Sequence, residues 1–163
     1  MSIQFQYNKQ AVIKALRFHF KQRPEIKIFR TLIILVVIAA FVGYFTHFLS
    51  FNALIWIFIA FVALIFFLQY MLPLSVYRRA HTFREPQLSL DFTEDYIVIG
   101  TDRGKSRIPW QQFNNVIETR DFFYLYRSNR SFFLIPANAF DAREDRIKFS
   151  EKLQQRFSNY LFK

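Results

Sequence analysis

Between residues 31 and 77 the chain carries no Asp, Glu, Lys or Arg, and cations close the stretch on both sides, Arg30 before it and Arg78 and Arg79 after it. A hydrocarbon core about 30 Å thick takes roughly 20 apolar residues of helix to cross. The stretch is therefore long enough for two crossings and a short tip, expected at 32–49 and 53–72 with Ser50, Phe51 and Asn52 in the turn. Two crossings return the chain to the side it left. The expectation is an integral membrane hairpin with everything else on one face.

Charge orients the hairpin. Residues 1–30 hold seven Lys or Arg against Glu25 alone, and residues 78–163 hold fifteen against eleven Asp or Glu. Cations flanking a span favour the cytoplasmic side, so both termini are expected in the cytoplasm and the uncharged tip around His47 outside. A cleaved signal peptide has an apolar core of only about 7–15 residues, which the long basic leader and longer apolar stretch here do not fit. The net charge of +10 does not call for nucleic acid, because juxtamembrane cations each gain roughly 1 kcal/mol beside an anionic leaflet. Transporters bury ionisable groups at mid-membrane. The spans here offer only Thr46 and His47 near the tip, Gln69 near the inner end and an isolated Gly43. They read as an anchor, which argues against a transport subunit.

Three segments follow. In residues 1–30, Ile3, Phe5 and Tyr7 alternate with Gln4 and Gln6, the period of a half-buried strand. A lone strand leaves its backbone unpaired, so it is expected to join a sheet built by the C-terminal half. Asn8 suits a helix N-cap. From 9 to 22, Val12, Leu16 and Phe20 share one face and Lys14, Arg17 and Lys21 lie opposite. Such a helix suits the membrane interface, and its apolar face suits packing on the cytoplasmic domain equally well. Pro24 ends or kinks it.

After the hairpin (31–77), the segment 84–163 changes period. Strands are expected at 87–92, 96–101, 105–108, 115–119, 122–127 and 132–135, joined by turns at 93–95, 102–104 and 128–130. Asp141 with Glu144 resembles a capping pair for a last helix in which Phe149, Leu153, Phe157 and Leu161 repeat every four residues, with Tyr160 alongside. The fold class expected is a membrane α-helical hairpin plus an α+β cytoplasmic domain. That domain has the element count of a pleckstrin-homology-like (PH-like) antiparallel barrel closed by a C-terminal helix.

Ile108-Pro109-Trp110, Phe113, Val116, Glu118, then Phe122 through Tyr126, Leu134-Ile135-Pro136 and Phe140 carry a resemblance to the YcxB-like family of bacterial membrane proteins. The family looks like a two-span hairpin fused to a PH-like cytoplasmic domain. The resemblance implies a bacterial inner-membrane location and no catalytic residue. The residues themselves admit structural roles. Pro109 cannot donate to a ladder and ends a strand, while Trp110 is either a plug for a domain corner or an anchor for a partner.

No catalytic, cofactor or metal site is expected. There is no cysteine, and His19, His47 and His81 lie in separate segments without ligand spacing. The pairs Glu94-Asp95 and Glu144-Asp145 suit a turn and a helix start. Two features suggest binding. Arg103, Lys105 and Arg107, spaced by two, project from one face of a regular strand beside a turn, and Arg127 and Arg130 lie near another turn. Each set is either a solvated face or a site for acidic groups. The dense aromatics Phe122, Phe123, Tyr124, Tyr126, Phe132 and Phe133 occupy both faces of a hairpin. They are covered within the chain or else mark an interaction surface.

The functional expectation is a non-enzymatic, membrane-tethered PH-like module that binds a protein partner or the anionic inner leaflet, using Arg103, Lys105, Arg107, Arg127, Arg130, Trp110, Phe122, Tyr124 and Tyr126. The alternative is an immunity protein that neutralises a membrane-acting or injected toxin. A hairpin can also self-associate, and the sequence fixes no copy number.

Overall fold

A computed structural model describes residues 1–102, 104–128 and 131–163. It divides into two compact units, 9–83 and a second made of 1–8 with 84–163.

The helical unit opens with α1 (Lys9–Gln22). Proline disfavours a helical residue before it, and Arg23 is accordingly extended at ψ 127° while Pro24 occupies the first turn of α2 (Pro24–Phe45). Proline suits that position because the missing N–H would have no partner in the first turn. The helix closes at the tip by a Schellman arrangement. The Phe48 N–H donates to the Gly43 carbonyl and the His47 N–H to that of Tyr44, with His47 left-handed at φ 60°. Ser50 caps α3 (Phe51–Phe66), its hydroxyl accepting from the Ala53 N–H at 3.3 Å.

One π turn, Phe67–Met71, leads from α3 into α4 (Leu72–Arg79). Pro73 explains it. A mid-helix proline clashes with the carbonyl four residues back, here Gln69, and widening that turn absorbs the clash. Pro24–Phe45 and the continuous stretch Phe51–Arg79 are both long and apolar enough to cross a membrane. The first rises roughly 33 Å at helical pitch.

The second unit is mostly β. Strands β1 (Ser2–Phe5), β2 (Leu88–Phe92), β3 (Tyr96–Thr101) and β4 (Gly104–Pro109) form one antiparallel sheet in that order. The N-terminal strand thus joins the C-terminal half, pairing Ile3 with Leu90 and Phe5 with Leu88. Its period-two pattern is the cause, since Ile3 and Phe5 are buried and Gln4 is exposed. Strands β5 (Asn115–Glu118), β6 (Phe122–Ser128), β7 (Ser131–Pro136) and β8 (Tyr160–Phe162) form a second sheet, ordered β7-β6-β5-β8. Helix α5 (Arg143–Arg156) precedes β8. Its Phe149 ring lies 4.6 Å from Phe92, 5.3 Å from Phe123 and 5.1 Å from Phe140. One helix residue thus gathers rings from both sheets and from the loop after β7.

Two local expectations are corrected. The last helix does not run on to Leu161. It stops at Arg156, and Tyr160–Phe162 pair with β5 as a parallel strand. Phe157 and Leu161 kept a four-residue spacing only by coincidence, and Leu161 is exposed. Asp141 does not cap α5 either. Ala142 occupies the cap without a side-chain bond, and Glu144 and Asp145 stand in the first turn, where the helix dipole favours negative charge.

Candidate functional surface

Strand β4 lies at the end of its sheet. It pairs with β3 from Thr101 opposite Gly104 to Tyr96 opposite Pro109, and among the described residues no strand pairs with its other side. Gly104 opens it at φ 138°, a backbone geometry that glycine adopts without penalty. Gly104, Lys105, Ser106 and Arg107 are all exposed, so this part of the strand buries neither face. Lys105 and Arg107 stand opposite Gly100 and Val98 and share one face by the strand period. The Arg107 guanidinium sits over the Tyr96 ring, 5.4 Å from its centroid, a cation–π contact that restrains the side chain. Arg103 lies outside the described residues.

The other predicted cations fall elsewhere. Arg127 is exposed near the end of β6, in the second sheet, and its carbonyl accepts from Asn114 Nδ2 at 3.1 Å. Arg130 lies outside the described residues.

The predicted aromatics are not on a surface. Phe122, Tyr124 and Tyr126 are buried, Tyr124 at 1 % exposure, and Trp110 is at 6 %. Trp110 satisfies its indole N–H at the Thr93 carbonyl, 3.0 Å away, and its ring meets Phe92, Phe113 and Phe157. Burial also raises the Tyr124 phenol above its ordinary range, with Tyr126 and Asp121 adding to it. A side chain with this little exposure has scant area to offer a partner, so the accessible part of the predicted surface narrows to the cations.

One cluster was missed. Glu118 is buried at the end of β5. It accepts from Ser150 Oγ at 2.6 Å and from the Tyr160 hydroxyl, and it pairs with Arg146 Nη2 at 3.2 Å. Burial, then the Glu118 bond, raises the Tyr160 phenol above its ordinary value. The carboxylate joins β5, α5 and β8, a structural tie with every oxygen engaged. A lone acid closing the apolar run Val116-Ile117 was the available signal. Its partners lie about thirty to forty residues away in sequence, beyond any local pattern. Among the described residues no three His, Asp or Glu side chains gather as metal ligands.

The stretch containing β4, Trp110 and Glu118 can now be compared with known proteins. Residues 92–153 match the family model described as YcxB-like protein. This part of the chain is similar to the YcxB-like family. The match runs from the last residue of β2 into α5 and contains every residue that carried the resemblance, while the hairpin lies outside it. No curated protein and no solved structure matches the chain. Within the matched stretch, Trp110, Phe113, Glu118 and Phe140, four of the residues that carried the resemblance, are all buried, so much of that pattern describes the interior of the domain. The exposed Lys105 and Arg107 stand in the same stretch but outside that pattern.

Proposed function

We propose that this chain is a non-enzymatic, two-span protein of the bacterial inner membrane. Its hairpin tethers a PH-like cytoplasmic module, and the β4 edge of that module binds an acidic, extended segment of a protein partner. A four-stranded antiparallel sheet of β1 with β2–β4, then the antiparallel strands β5–β7, then α5 with β8 after it, support the PH-like reading. Cations on both flanks of the hairpin support cytoplasmic termini.

The observation that carries the binding reading is the exposed edge from Gly104 to Arg107, which no strand among the described residues pairs. An open strand edge presents a row of backbone donors and acceptors that only another peptide can pair with in register. Lys105 and Arg107 add attraction for acidic side chains. A lipid headgroup would use the cations but leave the backbone edge idle, so the geometry favours the peptide. Tethering then raises the module's effective concentration toward membrane partners.

The test is in-cell photo-crosslinking from a probe at Ser106, in the wild-type background and with Lys105→Glu and Arg107→Glu together. The reading expects one dominant captured protein that disappears on charge reversal. Capture indifferent to the reversal, or adducts of lipid and self only, would refute it.

A further inference from the structure

Within the helical unit, α1, α2 and α3 enclose a groove of about 550 Å³. That is the size of a small-molecule site. Its two ends differ chemically. Lys14, Arg17 and Lys21 contribute from α1 and Arg30 from α2. The three α1 cations are spaced three and four apart, which stacks them on one helix face. Arg17 is held over the Tyr70 ring at 4.4 Å, which fixes a long side chain in place. Among the described residues no acidic one lines the groove. Below Arg30 the walls turn apolar, with Ile34 from α2 and Phe61 and Ile65 from α3. Ile34 is one turn beyond Arg30, roughly 6 Å along the axis, so both ends belong to one continuous site.

We infer that this groove is a binding site for one anionic phospholipid, its phosphate against the cations and an acyl chain along the apolar walls. The inference rests on α2 and α3 spanning a membrane but is independent of the β4 edge. Charge complementarity selects an anion, and Arg is well suited to phosphate oxygens. The apolar half selects a lipid over a free phosphate or a peptide. At that depth the surroundings are hydrocarbon, where an acyl chain costs nothing and an extended backbone would leave polar groups unsatisfied. Basic pockets between membrane helices on the cytoplasmic side suit such headgroups for the same reason.

The experiment uses the full chain in neutral detergent. Lipid adducts are quantified by native mass spectrometry with phosphatidylglycerol and with phosphatidylcholine of matched acyl chains, each with and without excess inorganic phosphate. Wild type should prefer the anionic lipid. Lys21→Gln with Arg30→Gln should weaken that preference roughly 30-fold, at about fivefold for each cation removed beside the anion. Ile65→Trp, which fills the apolar half and leaves every charge in place, should weaken both lipids, and it carries the test alone if the cation variant does not fold. Lys105→Glu with Arg107→Glu should change nothing, which separates this site from the β4 reading. Equal adducts of the two lipids, an undiminished preference in the cation variant, or full displacement by inorganic phosphate would overturn the inference.

Discussion

Replacing Glu118 with Ala should unfold the β unit at markedly lower denaturant, and the structure sets the size. Three donors converge on this carboxylate: Arg146, Ser150 and Tyr160. Charge-assisted bonds at about 1.5–3 kcal/mol each would sum naively to about 4.5–9 kcal/mol. The donors are not stranded, however. Ser150 Oγ and the Tyr160 hydroxyl already lie 2.9 Å apart and can bond each other. Arg146 is partly solvated and also reaches the Thr119 carbonyl at 3.4 Å. The cost therefore falls toward that of breaking one buried pair with its partners partly rescued, about 3 kcal/mol.

The assay needs a probe confined to the β unit. Trp110 lies in that unit and Trp56 in the hairpin, so a Trp56→Phe background leaves Trp110 as the single reporter. Urea unfolding in neutral detergent should then show the midpoint falling by roughly 2–3 M at a slope near 1–1.5 kcal/mol/M. A Glu118→Ala and Ser150→Ala cycle should be non-additive by about 1 kcal/mol. A loss below about 1 kcal/mol, or strict additivity, would show that the carboxylate is not the tie between β5, α5 and β8, and the argument from its contacts would be wrong.

Other perturbations have defined directions. Burial raises the phenols of Tyr7 and Tyr124 well above their ordinary value of 10.0, and that of Tyr160 less far. The folded state therefore keeps protons that the unfolded chain releases above about pH 10. This stability is complete below that pH and is lost as pH rises beyond it, so part of the tyrosine absorbance change should coincide with loss of near-UV dichroism. His19 has the opposite sign. Burial first, and Arg23 second, hold it down to about 4 from 6.5, and its Nε2 accepts from Arg23 Nε at 3.1 Å. The unfolded imidazole binds a proton in that window and the folded one does not. Thermal stability should fall between about pH 6.5 and pH 4, and His19→Gln should flatten the profile. Trp110→Ala should cost about 3–5 kcal/mol of β-unit stability by circular dichroism, where an exposed anchor would cost almost none.

Most of the fold was legible because its elements announce themselves locally. Strand β1 followed from five residues of alternation, most of the others from short apolar runs, and β4 from the alternation of Lys105 and Arg107 beside a turn. What misled was longer-range competition. The four-residue spacing through Phe157 and Leu161 satisfies a helix, yet the backbone of β5 offers Tyr160–Phe162 a ladder, and Glu118 offers the Tyr160 hydroxyl a buried acceptor. Neither appears in a local window. The second crossing is expected to end at 72, just before Pro73, but whether a proline ends a helix or is absorbed depends on the turn before it. Here the π turn at Phe67–Met71 absorbs it and the helix runs on.

Binding features divide along the same line. Lys105 and Arg107 were readable because a strand's period alone puts them on one face, and an edge position leaves them there. The aromatics Phe122, Tyr124 and Tyr126 were readable as dense but not as covered, since cover depends on what lies opposite. The groove was hidden for a geometric reason. Periodicity assigns Lys14, Arg17 and Lys21 to one face of α1, Arg30 and Ile34 to one face of α2, and Phe61 and Ile65 to one face of α3. It cannot say that these three faces meet. That follows only from packing, with α1 against both α2 and α4 and α2 against α3. The chain's surfaces therefore differ in kind: the β4 edge can be read from a single element, whereas the groove exists only once three helices have assembled around it. Substitutions should differ accordingly. Charge reversal on β4 should change binding and leave the fold intact, while a bulky residue on α3 should reach the groove through packing with no change of charge at all.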